Sequence, residues 1–155
     1  MKKRVFFLLV ATVLILNITT FSAMRREDLS NRELRNGVMC IRGEDGSFTG
    51  VLVSHYEDGS VKSLMSYEEG LLHGSRVLYY RSGLIKSKEN YSGGMKEGVS
   101  FLYYENGQVM MKINYSNGRK EGEKVFYHKN GDVKNKTTYR DGRKEGYAEA
   151  GSESI

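Results

Sequence analysis

Proline and tryptophan are absent from this 155-residue chain, and cysteine occurs once. With Cys40 alone, no disulfide can close within the chain; a lone thiol suggests an intermolecular bridge or a small buried side chain, and its setting between Met39 and Ile41 favours the latter. Long apolar runs are missing too, except at the start. Val5 to Leu16 is apolar at every position but Thr12, follows the positive patch Met1-Lys2-Lys3-Arg4, and leads into Asn17-Ile18-Thr19-Thr20-Phe21-Ser22-Ala23. That order is the pattern of a secretory signal peptide, and the run is short of the roughly 20 residues of a membrane span. Residues 1–23 are therefore expected to be a signal peptide, or alternatively an uncleaved anchor, and the protein to be exported: periplasmic, cell-surface or secreted.

An excess of one charge is lacking as well. The chain carries 24 Lys+Arg against 19 Asp+Glu, but Lys2, Lys3 and Arg4 lie in the expected signal, leaving 21 against 19. So even a balance provides no concentrated basic footprint for nucleic acid. Without a long apolar run after the signal, stability has to come from paired strands and stacked aromatics.

What is present is a period. Gly50, Gly74, Gly98, Gly122 and Gly146 are 24 residues apart, and Gly59, Gly83, Gly107 and Gly131 keep the same step. Gly70, Gly94, Gly118 and Gly142 do so too, as do Tyr67, Tyr91, Tyr115 and Tyr139. A fixed period marks a stacked array in which each unit buries its apolar surface on its neighbour. In residues 99–122, two runs rich in β-branched and aromatic residues flank Asn106-Gly107, a pair that accepts the positive φ angles of a tight hairpin. A second turn follows at Asn117-Gly118. Each unit thus reads as strand, tight turn, strand, glycine-rich turn.

The expected fold is all-β: an elongated antiparallel β-hairpin meander built from four repeats over 51–146. Residues 24–36 read as a charged linker or short helical turn, 37–50 as an N-terminal partial repeat or cap, and 147–155 as a frayed tail. Strands lie about 4.8 Å apart, so a column of equivalent side chains recurs about every 9.6 Å. A tighter turn at Asn106-Gly107 pairs Tyr104 with Val109, a wider one Tyr103 with Val109, and the residues leave both open.

Tyr-Tyr-Glu-Asn-Gly at 103–107 and Asn-Tyr-Ser-Asn-Gly-Arg-Lys-Glu-Gly at 114–122, with Lys-Glu-Gly again at 96–98 and 144–146, resemble the bacterial variant of the MORN repeat. The resemblance covers residues 48–146; Leu72-His73-Gly74 in the first unit departs from it. It implies an all-β ribbon serving as a scaffold, dimerisation surface or lipid-contacting module. Many bacterial members carry an antitoxin-component label.

Candidate contact residues fall in columns. Tyr79, Tyr103 and Tyr127 form one, with His55 at its head, and Tyr56, Tyr80 and Tyr104 another, ended by His128. Each reads either as cross-strand packing or as an aromatic ladder for a partner. In the second strand, Val61, Ile85, Val109 and Val133 are expected on the side of the Tyr67 column. Lys62, Lys86, Lys88, Lys112, Lys134 and Lys136 are expected opposite, as a basic stripe or a solvated face. The scattered His55, His73 and His128 make no metal-ligand cluster, and Cys40 has no base assigned to it, so neither catalysis nor a cofactor or metal is expected. The expected role is an exported, non-catalytic protein-interaction or scaffold module that self-associates or holds a protein partner. Toxin neutralisation by an antitoxin or immunity-type protein, and binding to an anionic membrane surface, are the alternatives.

Overall fold

The computed structural model describes residues 25–149; the signal-like segment 1–23 lies outside the described residues. One large sheet dominates. Its repeat strands are β4 (Gly50–His55), β5 (Val61–Glu68), β6 (Leu71–Tyr79), β7 (Ile85–Ser92), β8 (Met95–Lys96), β9 (Gly98–Tyr103), β10 (Val109–Ser116), β11 (Arg119–Tyr127), β12 (Val133–Arg140) and β13 (Arg143–Glu149). From β4 onward each strand pairs antiparallel with the next, β8 and β9 sharing β7 as their partner. This is the meander that the period requires.

The charged segment after residue 24 is not a linker. It forms β1 (Arg26–Asp28), a 3-10 turn at Leu29–Asn31 and β2 (Arg32–Arg35). β1 runs parallel to β4 and covers its outer edge, while β2 pairs with β3 (Val38–Ile41) in a small separate sheet. Alternating charges conceal these strands in the sequence, because an edge strand buries little on either face. At the other end, Tyr147, Ala148 and Glu149 complete β13 rather than fraying; the rest of the expected tail, 150–155, lies outside the described residues.

The two turns of the unit are physically different. At the second, Asn117 (φ 47°) and Gly118 (φ 78°) both take positive φ, giving the primed two-residue turn between the paired Ser116 and Arg119. At the first, only Gly107 does (φ 84°), and Asn106 stays at negative φ. There the Tyr104 N–H donates to the Gln108 carbonyl (2.8 Å) and the Gly107 N–H to the Tyr104 carbonyl (2.9 Å), the pattern of a three-residue loop with a glycine bulge. Asn106 is useful there for its side chain: its Oδ1 accepts from the Gln108 N–H (3.1 Å), as Asp58 does from Ser60 (2.9 Å) and Asn130 from Asp132 (3.2 Å).

The wider loop fixes the register that the residues left open: Tyr103 pairs with Val109. The next pair is Leu102 with Met111, so Met110 has no partner opposite. Lys62, Lys86 and Lys134 are skipped in the same way in the other units. A bulge of this kind reverses the alternation. Val109 therefore shares a face with Tyr103, not with the Tyr67 column as the uninterrupted pattern suggests.

A packed face carries the row Leu52, Met65, Arg76, Glu89, Ser100, Ile113, Lys124, Thr137, and a basic face the row Val77, Lys88, Phe101, Lys112, Val125, Lys136. The densest core lies at the N-terminal end, where Met39, Ile41 and Phe48 pack on Leu52 and Tyr67, flanked by Leu29, Met65 and Leu72. Burying each of these large side chains contributes about 1.5–3 kcal/mol. Cys40, between Met39 and Ile41 in β3 but outside this cluster, is buried as a free thiol. At Gly70 the cap approaches so closely that a Cβ would run into Val38 and the Met39 backbone.

Between units, side chains take over. The hydroxyls of Tyr56, Tyr80 and Tyr104 donate to the main-chain carbonyls of Tyr79, Tyr103 and Tyr127, at 2.6, 2.6 and 2.8 Å. Replacing Tyr80→Phe should therefore lower stability to urea by about 1 kcal/mol, the net worth of one such bond. Tyr103→Phe, whose hydroxyl makes no hydrogen bond among the described residues, should change it by less than about 0.5 kcal/mol in the same titration.

Candidate interaction face

The two tyrosine columns part company here. Tyr56, Tyr80 and Tyr104 are tied into the joints by their hydroxyls, and cations lie over their rings: Arg81 over Tyr56 (4.8 Å), Lys86 over Tyr80 (5.6 Å) and Lys129 over Tyr104 (5.9 Å). Tyr80 and Tyr104 are thus joint residues, which removes them from a freely presented ladder. Tyr79, Tyr103 and Tyr127 remain half-buried on the basic face, and Tyr103 stacks on Phe101 with ring centroids 6.0 Å apart.

The lysine set also divides. Lys88, Lys112 and Lys136 lie in one row with Val77, Phe101 and Val125. Lys62 and Lys86 leave that row to cover Tyr56 and Tyr80, and Lys134 is the unpaired bulge residue of its unit, so the expected stripe, already interrupted at Leu64 and Met110, loses these three as well. Lys136 reaches Glu123 at 3.2 Å, whereas Lys88 and Lys112 have no ion-pair partner among the described residues. Between Phe101, Val109, Lys112 and Tyr127, with Gly107 and Gly131 at the rim, lies a groove of about 470 Å³. The sequence named Tyr127 and Lys112 but missed Phe101 and Val109, because the bulge moves Val109 onto this face.

The Lys-Glu-Gly stretches serve the joints as well. Glu97 accepts from the Asn117 N–H (2.8 Å) and Glu121 from the Asp141 N–H (2.9 Å), each holding the next unit's second turn. Lys96 lies over Tyr115 (5.1 Å) and Lys120 over Tyr139 (4.9 Å). In the departing first unit, Leu72 packs against the N-terminal core instead.

The packed face holds one charged island. Glu89 sits where the other units have Met65, Ile113 and Thr137, with its side chain only 13% exposed. Arg76 bonds one carboxylate oxygen (2.6 Å), Lys96 the other, and the Tyr91 hydroxyl donates at 3.2 Å. Burial alone would raise the Glu89 pKa, but the bonds from Lys96 and Arg76 outweigh it and hold the carboxyl below its usual value. Among the described residues no His, Cys, Asp or Glu group is placed to hold a metal ion, and no helix is long and apolar enough to cross a membrane.

Compared with known families, residues 96–117 and 120–141 match the MORN repeat variant. The match spans two consecutive repeats of the array. None of the curated proteins matches the chain.

A lowered folded pKa stabilises the fold above the unfolded value and is lost as pH falls through the folded one. At neutral pH, Glu89→Gln should therefore unfold at lower urea than the wild-type chain. The gap should narrow as pH drops below about 4.3, where the unfolded glutamate gains its proton, and a gap independent of pH would contradict this.

Proposed function

We infer that this is an exported, non-catalytic interaction module that meets its partner with the basic face of the ribbon. Repeats of this type are generally protein- or membrane-binding modules. The observation that carries the reading is the contrast between columns. One tyrosine set is used up in the joints, while Tyr79, Tyr103 and Tyr127 stand beside Lys88 and Lys112 with hydroxyls and ammonium groups that bond to nothing else among the described residues. Aromatic surface with polar tips next to unpaired cations supports protein recognition. A photo-crosslinking residue at position 103, in native cells, should give one discrete adduct in the envelope or medium fraction, on a chain shortened by about 23 residues as signal cleavage expects. The same residue at position 124, on the packed face, should give none. Equal crosslinking from both positions, or a full-length cytosolic product, would overturn the reading and favour the antitoxin alternative.

A second reading is attached to a different place. Arg119, Arg140, Arg143 and Lys144 line a hollow of about 640 Å³ at the C-terminal end, where Asp141 pairs with Arg119 at 3.3 Å and Glu145 with Arg140 at 3.4 Å, an excess of two positive charges. Such a cluster suits anionic lipid headgroups. Vesicles rich in phosphatidylserine should then bind the chain at low salt and release it at high salt; indifference to lipid charge would remove this reading.

A further inference from the structure

The groove beside Phe101, Val109, Lys112 and Tyr127 is one station of a repeated track. One unit upstream, Leu84 and Ile85 stand where Gln108 and Val109 stand, exposed at 44% and 36%, and two units upstream Val61 is exposed at 38%. Ile85 and Val61 thus leave apolar surface open along the first-turn side of the basic face, while Leu84, next in the chain to Ile85, points to the other side. Beside that open surface run Lys88, Lys112 and Lys136, one per unit.

The spacing of that track restricts what can lie in it. Equivalent side chains recur about every 9.6 Å, two strand spacings. A polyproline-II helix advances about 9.3 Å per turn of three residues, with every third side chain on the same side. From Lys88 to Lys136 the two differ by about 0.6 Å on these spacings, which flexible lysine stems absorb. A β-strand covers about 9.9 Å in three residues, but its side chains alternate, so every third residue faces away in turn. An α-helix needs about 6.4 residues per step, which is not a whole number of turns.

We propose that the basic face binds an extended partner segment in the polyproline-II conformation, with a carboxylate at every third residue. The carboxylates meet Lys88, Lys112 and Lys136, and the intervening rings or aliphatic side chains lie against Tyr103, Tyr127 and Val109. Lys136 exchanges its exposed bond to Glu123 for the ligand. This inference rests on the interaction reading above and specifies the partner's chemistry.

The test uses the full chain in detergent micelles and fluorescence anisotropy with a labelled peptide of about five Glu-Pro-Pro triplets, which favour this conformation. A peptide of alternating Glu and Pro with the same number of glutamates has the same conformation and the wrong phase. The triplet peptide should bind about ten-fold more tightly than the alternating one, and Lys112→Glu should weaken it at least about ten-fold by placing like charges opposite. Lys112→Arg should retain binding. Equal affinity for the two peptides, insensitivity to Lys112→Glu, or tighter binding of a polyuronate would overturn the proposal. If neither peptide binds while position 103 still crosslinks one partner in cells, this inference fails and the interaction reading stands; if both fail, the reading itself fails.

Discussion

Beyond the N-terminal cap the sheet has two faces and no second layer over them among the described residues, so the array depends on how one unit is fastened to the next. Backbone ladders hold neighbouring strands together, but they bury no side chain. The fastening is done by a phenol from one unit that reaches the main-chain carbonyl of the next, as Tyr80 does at Tyr103. Glutamates add to it by holding the following turn, as Glu97 does at Asn117. Since each unit alone is a marginal hairpin, these joints decide whether the array is rigid enough to present anything.

The joints also explain why tyrosine appears twice in succession in the repeat. The first tyrosine of each pair lends its carbonyl to the joint and keeps its ring for the basic face. The second gives up its hydroxyl and has its ring covered by a cation. Adjacent residues of identical type thus have opposite fates, decided by the side of the strand to which each points.

The period, the strands and the number of units were legible because glycine and tyrosine mark them at every step. The bulge was not legible. Met110 is apolar and Lys86 polar at the same position, so nothing in the pattern shows that this residue lacks a partner. Missing it carried Val109 to the wrong face and joined Lys86 and Lys134 to a stripe that they leave. Asn106-Gly107 misled for a related reason: the pair suits a primed turn and an Asx-stabilised wider loop equally well, and only the hydrogen bonds separate them. Glu89 was findable, as a charge in a column otherwise occupied by Met65, Ile113 and Thr137. The charged strands β1 and β2 were hidden because their pairing is made by backbone groups that composition does not report.

The phenol and its acceptor lie 23 residues apart in every joint. Duplicating or deleting one whole repeat therefore leaves each surviving bond with the partner it needs. Array length becomes a property that a gene can adjust in whole steps, as a ruler gains or loses graduations without changing their spacing. Only the first unit is excluded from this freedom, because Leu72 and Tyr67 are committed to the N-terminal core. Lineages of such a chain can thus differ in reach while keeping the same grip.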